Sequence, residues 1–206
     1  NTNLSSLKNI EDGMVFLCNP NNPTGQLTLK KEILELVKDN TNRLIVVDEA
    51  FMDFVDEDEK YSVTKDAPLM DNLIVVRSLT KFYGFPGLRL GYLVANESVV
   101  NNLMQFKEPW TVNTFAQIAG QVAINDEAFA INTREYVSRE KAFLYDGLSR
   151  IKGIRPFRPS VNFILVRIDN AEITSSGIQD FLIKDKIIIR DCSNFVGLSE
   201  KYFRVA

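Results

Sequence analysis

Lys81 stands in the run Val76-Arg77-Ser78-Leu79-Thr80-Lys81-Phe82-Tyr83-Gly84, with two hydroxyls just before it and Arg89 eight residues after it. A lysine amine condenses with an aldehyde once burial or neighbouring cations lower its pKa. Asp48 closes the run Leu44-Ile45-Val46-Val47-Asp48. A carboxylate set against a pyridine nitrogen keeps that nitrogen protonated, so the ring can accept an electron pair. Ser78 and Arg89 are donors suited to phosphate, and Asn22, in Cys18-Asn19-Pro20-Asn21-Asn22-Pro23-Thr24-Gly25, carries an amide able to donate to a phenolic oxygen. As a set, these residue types suit a phosphorylated, electron-withdrawing pyridine aldehyde. Singly, each has a plainer account: a chain-reversing turn, a helix-capping or solvated acid, a surface lysine.

The elements that must position these groups are short apolar runs: Met14-Val15-Phe16-Leu17, Leu44-Ile45-Val46-Val47, Leu73-Ile74-Val75-Val76 and Gly91-Tyr92-Leu93-Val94. Runs of this length, apolar on both faces, predict strands covered on both sides, as in a mostly parallel α/β sheet. Between the first two, Leu29, Ile33, Leu36 and Val37 mark the stripe of a helix over 28–39, with Thr28 and Glu32 near its start. The first three strands each end in polar residues, and ligands of open α/β sheets bind at that rim. Helical texture follows over 97–106, 114–124 and 126–151. Beyond Gly153 the pattern changes: strands are predicted over 161–166, 187–190 and 202–205, with a helix over 176–184. The reading is a large domain over 1–150, including a helix that links onward, and a smaller α+β domain over 151–206.

Composition narrows the chemistry. A chain of 206 residues, 45% hydrophobic, can bury a substantial core. A net charge of −3 with no basic block gives no electrostatic reason to expect nucleic acid or an anionic membrane as partner. The chain has no histidine, so Ser-His-Asp and Cys-His arrangements and imidazole metal ligands are excluded, and no metal site is expected. Two cysteines, Cys18 and Cys192, are too few for a disulfide framework or a closed thiolate zinc site; they read as packing residues and suit a cytoplasmic compartment. Neither a Walker-type Gly-Lys-Ser/Thr loop nor a Gly-x-Gly-x-x-Gly turn is present, which argues against a nucleotide-binding module. The opening Asn1-Thr2-Asn3-Leu4-Ser5-Ser6 lacks a charged-then-apolar signal pattern.

The strings Asn19-Pro20-Asn21-Asn22-Pro23-Thr24-Gly25, Val47-Asp48-Glu49-Ala50-Phe51, and Ser78-Leu79-Thr80-Lys81 through Pro86-Gly87-Leu88-Arg89-Leu90-Gly91-Tyr92 resemble, in order and spacing, the class I/II aminotransferases of pyridoxal phosphate (PLP) fold type I. The resemblance implies that Lys81 bonds the cofactor aldehyde, Asp48 meets the pyridine nitrogen, Asn22 the phenolic oxygen, and Ser78 with Arg89 the phosphate. It also implies that Arg204, in Tyr202-Phe203-Arg204-Val205-Ala206, grips the substrate α-carboxylate; the plainer account is an exposed arginine on a terminal strand.

Phe157 to Val166 and Ile187 to Leu198 resemble the histidinol-phosphate aminotransferase branch. More narrowly, Arg190-Asp191-Cys192-Ser193-Asn194-Phe195 with Gly197-Leu198 resembles the threonine-phosphate decarboxylases of cobalamin synthesis. Both branches act on phosphorylated substrates, which makes Arg190 the candidate for the substrate phosphate, the alternative being an ion pair with Asp191. Phe51 departs from the wider pattern, where a tyrosine donates to the cofactor's phenolic oxygen; its absence should leave that oxygen less stabilised. The resemblance further implies a homodimer and a longer chain, with residues before Asn1 and a short helix after Ala206. A scaffold that holds no cofactor is therefore the expectation of a different class.

Overall fold

The computed structural model describes residues 13–206, so the opening segment and its lack of a signal pattern lie outside the described residues. By packing, the chain forms two units. The first comprises 26–133 with the segment up to Asn21; the second comprises 134–206 with the short segment Asn22–Gly25. The division falls inside a long helix, whereas the reading from sequence sets its boundary at that helix's end.

In the first unit, β1 (Met14–Cys18), β2 (Leu44–Asp48), β3 (Leu73–Ser78) and β4 (Gly91–Ala95) form one sheet in that order. The first three are parallel, and Cys18 lies beside Asp48, which lies beside Val76. Helix α1 (Lys30–Asp39) crosses from β1 to β2. Its first turn is secured by Glu32, whose Oε2 accepts the Leu29 N–H at 3.0 Å. Ile33, Leu36 and Val37 of α1 meet Val15, Leu17, Ile45, Val47, Leu73 and Val75 in a buried core. These are alternate strand residues, as a period of two requires. The other face buries Val46, Ile74 and Ala95 under Val99 and Val100 of α2 (Glu97–Met104).

Strand β4 runs antiparallel to β3, so the sheet is mostly parallel, as expected. Parallel strands need a long crossover, usually a helix; between β3 and β4 the chain instead makes a loop closed by the Leu79 N–H to Leu90 carbonyl bond, 3.1 Å. Gly91 is required there, since a Cβ would sit 2.8 Å from the Arg77 carbonyl oxygen. Helix α3 (Thr114–Ile124) begins at Asn113, whose side chain accepts the Ala116 N–H.

Helix α4 (Glu127–Ser149) enters the second unit, whose antiparallel sheet has the order β5 (Ile154–Pro156), β6 (Ile164–Ile168), β8 (Tyr202–Val205), β7 (Arg190–Asp191). Leu144, Tyr145 and Leu148 of α4 and Ile178 and Leu182 of α5 (Ser175–Leu182) cover Ile164, Val166, Ile168, Ile189 and Phe203. Thr174 caps α5 by accepting the Gly177 N–H at 3.1 Å.

In the second unit two strand starts differ from the sequence reading, and one strand, β5, was not expected. Val161 and Phe163 are buried but precede the ladder, which starts at Ile164. Ile187 and Ile188 are exposed beyond a left-handed Lys186, so β7 starts only at Arg190. The edge strand β5 is short and ends in Pro156, which leaves no alternating run to detect.

Candidate active site

Asp48 is the last residue of β2, and its backbone is held from both neighbouring strands. Its carbonyl accepts the Asn19 N–H at 2.9 Å, and the next residue's N–H reaches the Val76 carbonyl at 2.8 Å. The Ala50 N–H donates to Asp48 Oδ1 at 2.9 Å, which fixes the carboxylate's rotation. Cys18, in register beside it, has its thiol pushed above the ordinary range by burial and then by the Asp48 charge.

Beyond β3, Ser78 Oγ and Thr80 Oγ1 share a hydrogen bond at 2.8 Å, and Lys81 Nζ donates to Ser78 Oγ at 3.4 Å. The same Nζ lies 5.3 Å from the centre of the Phe51 ring, so the amine is bounded by a hydroxyl and an aromatic face. The lysine's backbone is anchored by its neighbour. Phe82 is buried edge-on against Phe54 at 5.1 Å and Phe129 at 6.4 Å, while Tyr83 stacks on Phe129 at 5.9 Å. Arg89 adopts the left-handed conformation, φ 54°, and donates to the Pro86 carbonyl at 3.1 Å. Non-glycine residues held this way gather at ligand-contacting positions. Asp48, Ser78, Lys81 and Arg89 thus belong to the first unit, and Ser78 and Lys81 touch directly.

The second unit holds the other three candidates. Arg204 Nη1 donates to Asn22 Oδ1, and its guanidinium lies 5.0 Å from the Phe163 ring centre. The turn that presents Asn22 is fixed by Gly25, φ 69°, whose carbonyl accepts from Ser160 Oγ. Arg190 and Arg204 are directly paired across β7 and β8. Burial holds the Arg204 guanidinium below its ordinary value, opposed by Cys192 and assisted to a lesser degree by the Arg190 charge. Arg190 Nη2 donates to Asn194 Oδ1 at 3.1 Å, and its guanidinium lies 5.5 Å from the Phe195 ring centre. Asp191 instead accepts from Ser175 Oγ at 2.6 Å and from Ser193 N and Oγ. Those hydrogen bonds, the Ser175 hydroxyl first, hold its carboxyl below the ordinary value.

Reading by motif passes over the buried polar residues behind this rim. Asn19 is fully buried, donates to the Thr28 and Tyr61 carbonyls and accepts the Thr28 N–H. Glu49 is fully buried and accepts from Ser62 Oγ, Val63 N and Thr64 Oγ1 at 2.7, 2.8 and 2.9 Å. The only local signal for either is its place directly after a strand's last residue.

The family model described as "Aminotransferase class I and II" matches residues 2–206. The chain belongs to that family. Pyridoxal phosphate is the cofactor of class I and II aminotransferases, and the first unit's groups fit it. They comprise an amine for the aldehyde, an oriented carboxylate for the ring nitrogen, and hydroxyls with a guanidinium for the phosphate. Among family members, the chain is 36% identical over 197 residues to a threonine-phosphate decarboxylase of Salmonella typhimurium, covering 93% of this chain and 52% of that protein. It is 32% identical over 204 residues to a histidinol-phosphate aminotransferase of Methanocaldococcus jannaschii, covering 98% and 53%. The crystal structure of L-threonine-O-3-phosphate decarboxylase from Porphyromonas gingivalis superposes with a TM-score of 0.83 at 32% identity, over 94% of this chain and 59% of that one. The chain therefore spans about half the length of the curated relatives it matches. No described helix is long and apolar enough to cross a membrane.

Proposed function

We propose that the protein is a pyridoxal phosphate-dependent decarboxylase of a phosphorylated amino acid, L-threonine O-3-phosphate, and works as a cytoplasmic homodimer in cobalamin synthesis. The observation that carries this reading is the in-register pair Arg190 and Arg204. Cross-strand neighbours project to one face with Cβ atoms about 4.5–5.5 Å apart, and like charges so placed destabilise the sheet. A substrate bearing both a carboxylate and a phosphate would neutralise that pair. Arg204 takes the α-carboxylate in this assignment and Arg190 the phosphate, each by charge-assisted, fork-shaped hydrogen bonding.

When bound, the cofactor supplies the electron sink for the pair released at the substrate's α-carbon. Lys81 would hold the cofactor's aldehyde carbon until the substrate amine displaces it, and the freed lysine amine or a water would then protonate the α-carbon. Asp48, turned by the Ala50 N–H, accepts from the protonated ring nitrogen. Asn22 has its Oδ1 engaged by Arg204, and its Nδ2–H group is the donor that would serve the phenolic oxygen. Ser78 and Arg89 bind the cofactor phosphate. Phe51, in place of a phenol, bounds Lys81 Nζ without donating a hydrogen bond.

The test is to supply O-phospho-L-threonine in one assay, and histidinol phosphate with 2-oxoglutarate in another. Stoichiometric carbon dioxide release from the first supports the proposal. Glutamate formation in the second without carbon dioxide release in the first assigns the protein to the aminotransferase branch instead. Sedimentation of the active species tests the dimer.

A further inference from the structure

Glu49 and Arg77 are ionisable, buried, and without a part in the chemistry assigned above. Glu49 directly follows Asp48, the last residue of β2, and Arg77 precedes Ser78, the last residue of β3. Successive strand residues face opposite sides, so the rim's working groups and this pair alternate along the same two strand ends. The pair lies on the α1 side, where Arg77 Nη1 is 3.5 Å from Glu49 Oε2 and Nη2 is 3.8 Å from Asp53 Oδ1. Glu49 also accepts hydrogen bonds from Ser62, Val63 and Thr64. Asn19 holds the same segment from the end of β1 by donating to the Tyr61 carbonyl at 3.1 Å.

The Tyr61–Thr64 segment is therefore strapped to the residues that directly follow the last residues of β1 and β2. A buried carboxylate with three hydrogen-bond donors and a guanidinium beside it has no rotational freedom left. Its backbone N–H is committed to Val76, and its side chain cannot turn without breaking several bonds. The peptide that carries Asp48 inherits that rigidity.

We infer that Glu49 is a positioning residue: by fastening the Tyr61–Thr64 strap and Arg77 to the end of β2, it fixes the direction of the Asp48 carboxylate toward the cofactor's ring nitrogen. The inference rests on the cofactor reading above. It concerns which residue aims Asp48, since Glu49 itself touches neither cofactor nor substrate.

The probe is a pair of cofactors: pyridoxal phosphate and its deaza analogue, in which carbon replaces the ring nitrogen. Dissociation constants for both are measured by fluorescence titration on the full chain, on Glu49→Ala and on Glu49→Gln. An aimed Asp48 gives wild type a preference of about tenfold or more for the nitrogen-containing ring, the value of one charge-assisted hydrogen bond. Glu49→Ala is expected to collapse that preference to about twofold or less, and Glu49→Gln, which keeps the hydrogen-bonding shape, to retain most of it. A merely structural role would weaken both ligands equally and leave the ratio unchanged, and that result overturns the inference. Should Glu49→Ala fail to fold, Ser62→Ala with Thr64→Val removes two of the strap's bonds and should lower the ratio at least threefold or so; an unchanged ratio there overturns it as well. A wild-type chain that binds neither ligand overturns the cofactor reading and this inference with it, an outcome distinct from binding without a change in preference.

Discussion

Replacing Asn19 by alanine should cost the protein more stability than most single core truncations. Asn19 is fully buried, and its amide makes three bonds: the Thr28 N–H to its Oδ1 at 2.8 Å, and its Nδ2 to the carbonyls of Thr28 and Tyr61, each at 3.1 Å. Alanine removes the amide and leaves all three backbone partners, the Thr28 N–H and the Thr28 and Tyr61 carbonyls, without it. An unsatisfied buried donor or acceptor costs about 1–3 kcal/mol, with carbonyls toward the low end, so the sum is about 3–5 kcal/mol. That is a large share of the roughly 5–15 kcal/mol that holds a typical domain together. Asn19→Asp gives a sharper contrast. It keeps an oxygen for the Thr28 N–H but sets a second oxygen against two carbonyls, so at neutral pH it should be at least as damaging as alanine and recover in part on acidification. Urea unfolding followed by far-ultraviolet circular dichroism reads both variants. A loss below about 1 kcal/mol for Asn19→Ala at unchanged m-value would mean that the three bonds do not hold the turn after β1 to Thr28 and the Tyr61 segment.

Burial raises the Glu49 carboxyl above its ordinary value, outweighing the Ser62 and Val63 hydrogen bonds, the Arg77 charge and the Thr64 hydrogen bond. A carboxyl raised in the folded state contributes stability that is fully present below its ordinary value of 4.5 and is lost as pH rises through the folded value. Glu49→Gln should therefore flatten the stability curve above pH 4.5, and an identical slope would contradict this. Phe51→Tyr places a phenol beside Lys81 Nζ and should shift the titration of the bound cofactor's visible band to lower pH; an unmoved titration counts against the role given to Phe51. Inorganic phosphate should raise the melting temperature of the cofactor-loaded wild type by mass action, and Arg190→Gln should lose most of that gain along with a roughly tenfold rise in KM for the phosphorylated substrate. An equal gain in the variant would remove Arg190 from the phosphate's binding partners.

Much of the first unit was legible because its strands are unbroken apolar runs ending in polar residues. The runs at Ile45 and Leu73 are buried strands, the run at Val15 is buried on its α1 face alone with Met14 and Phe16 exposed against the expectation of cover on both sides, and the Ile33-Leu36-Val37 stripe is the buried face of α1. Asp48 and Lys81 could be picked out because each follows such a run. Asn19 and Glu49 carried no comparable signal. Their importance comes from burial against Tyr61 to Thr64, partners distant in sequence, and a polar residue after a strand reads locally as solvated. Arg77 was hidden for the same reason: one charge inside a strand declares neither face nor partner, and Glu49 and Asp53 supply both. The direction of β4 depended on whether a crossover helix intervenes, and the aromatic packing of Phe82 that replaces it is not a periodic feature.

Covalent trapping shows whether Lys81 carries the cofactor. The chain is incubated with pyridoxal phosphate, reduced with borohydride, digested, and mapped by mass spectrometry. One stoichiometric adduct is expected, on the peptide containing Lys81, and it should disappear in Lys81→Ala. An adduct spread over surface lysines such as Lys31 and Lys60, unchanged in amount by Lys81→Ala, would contradict it.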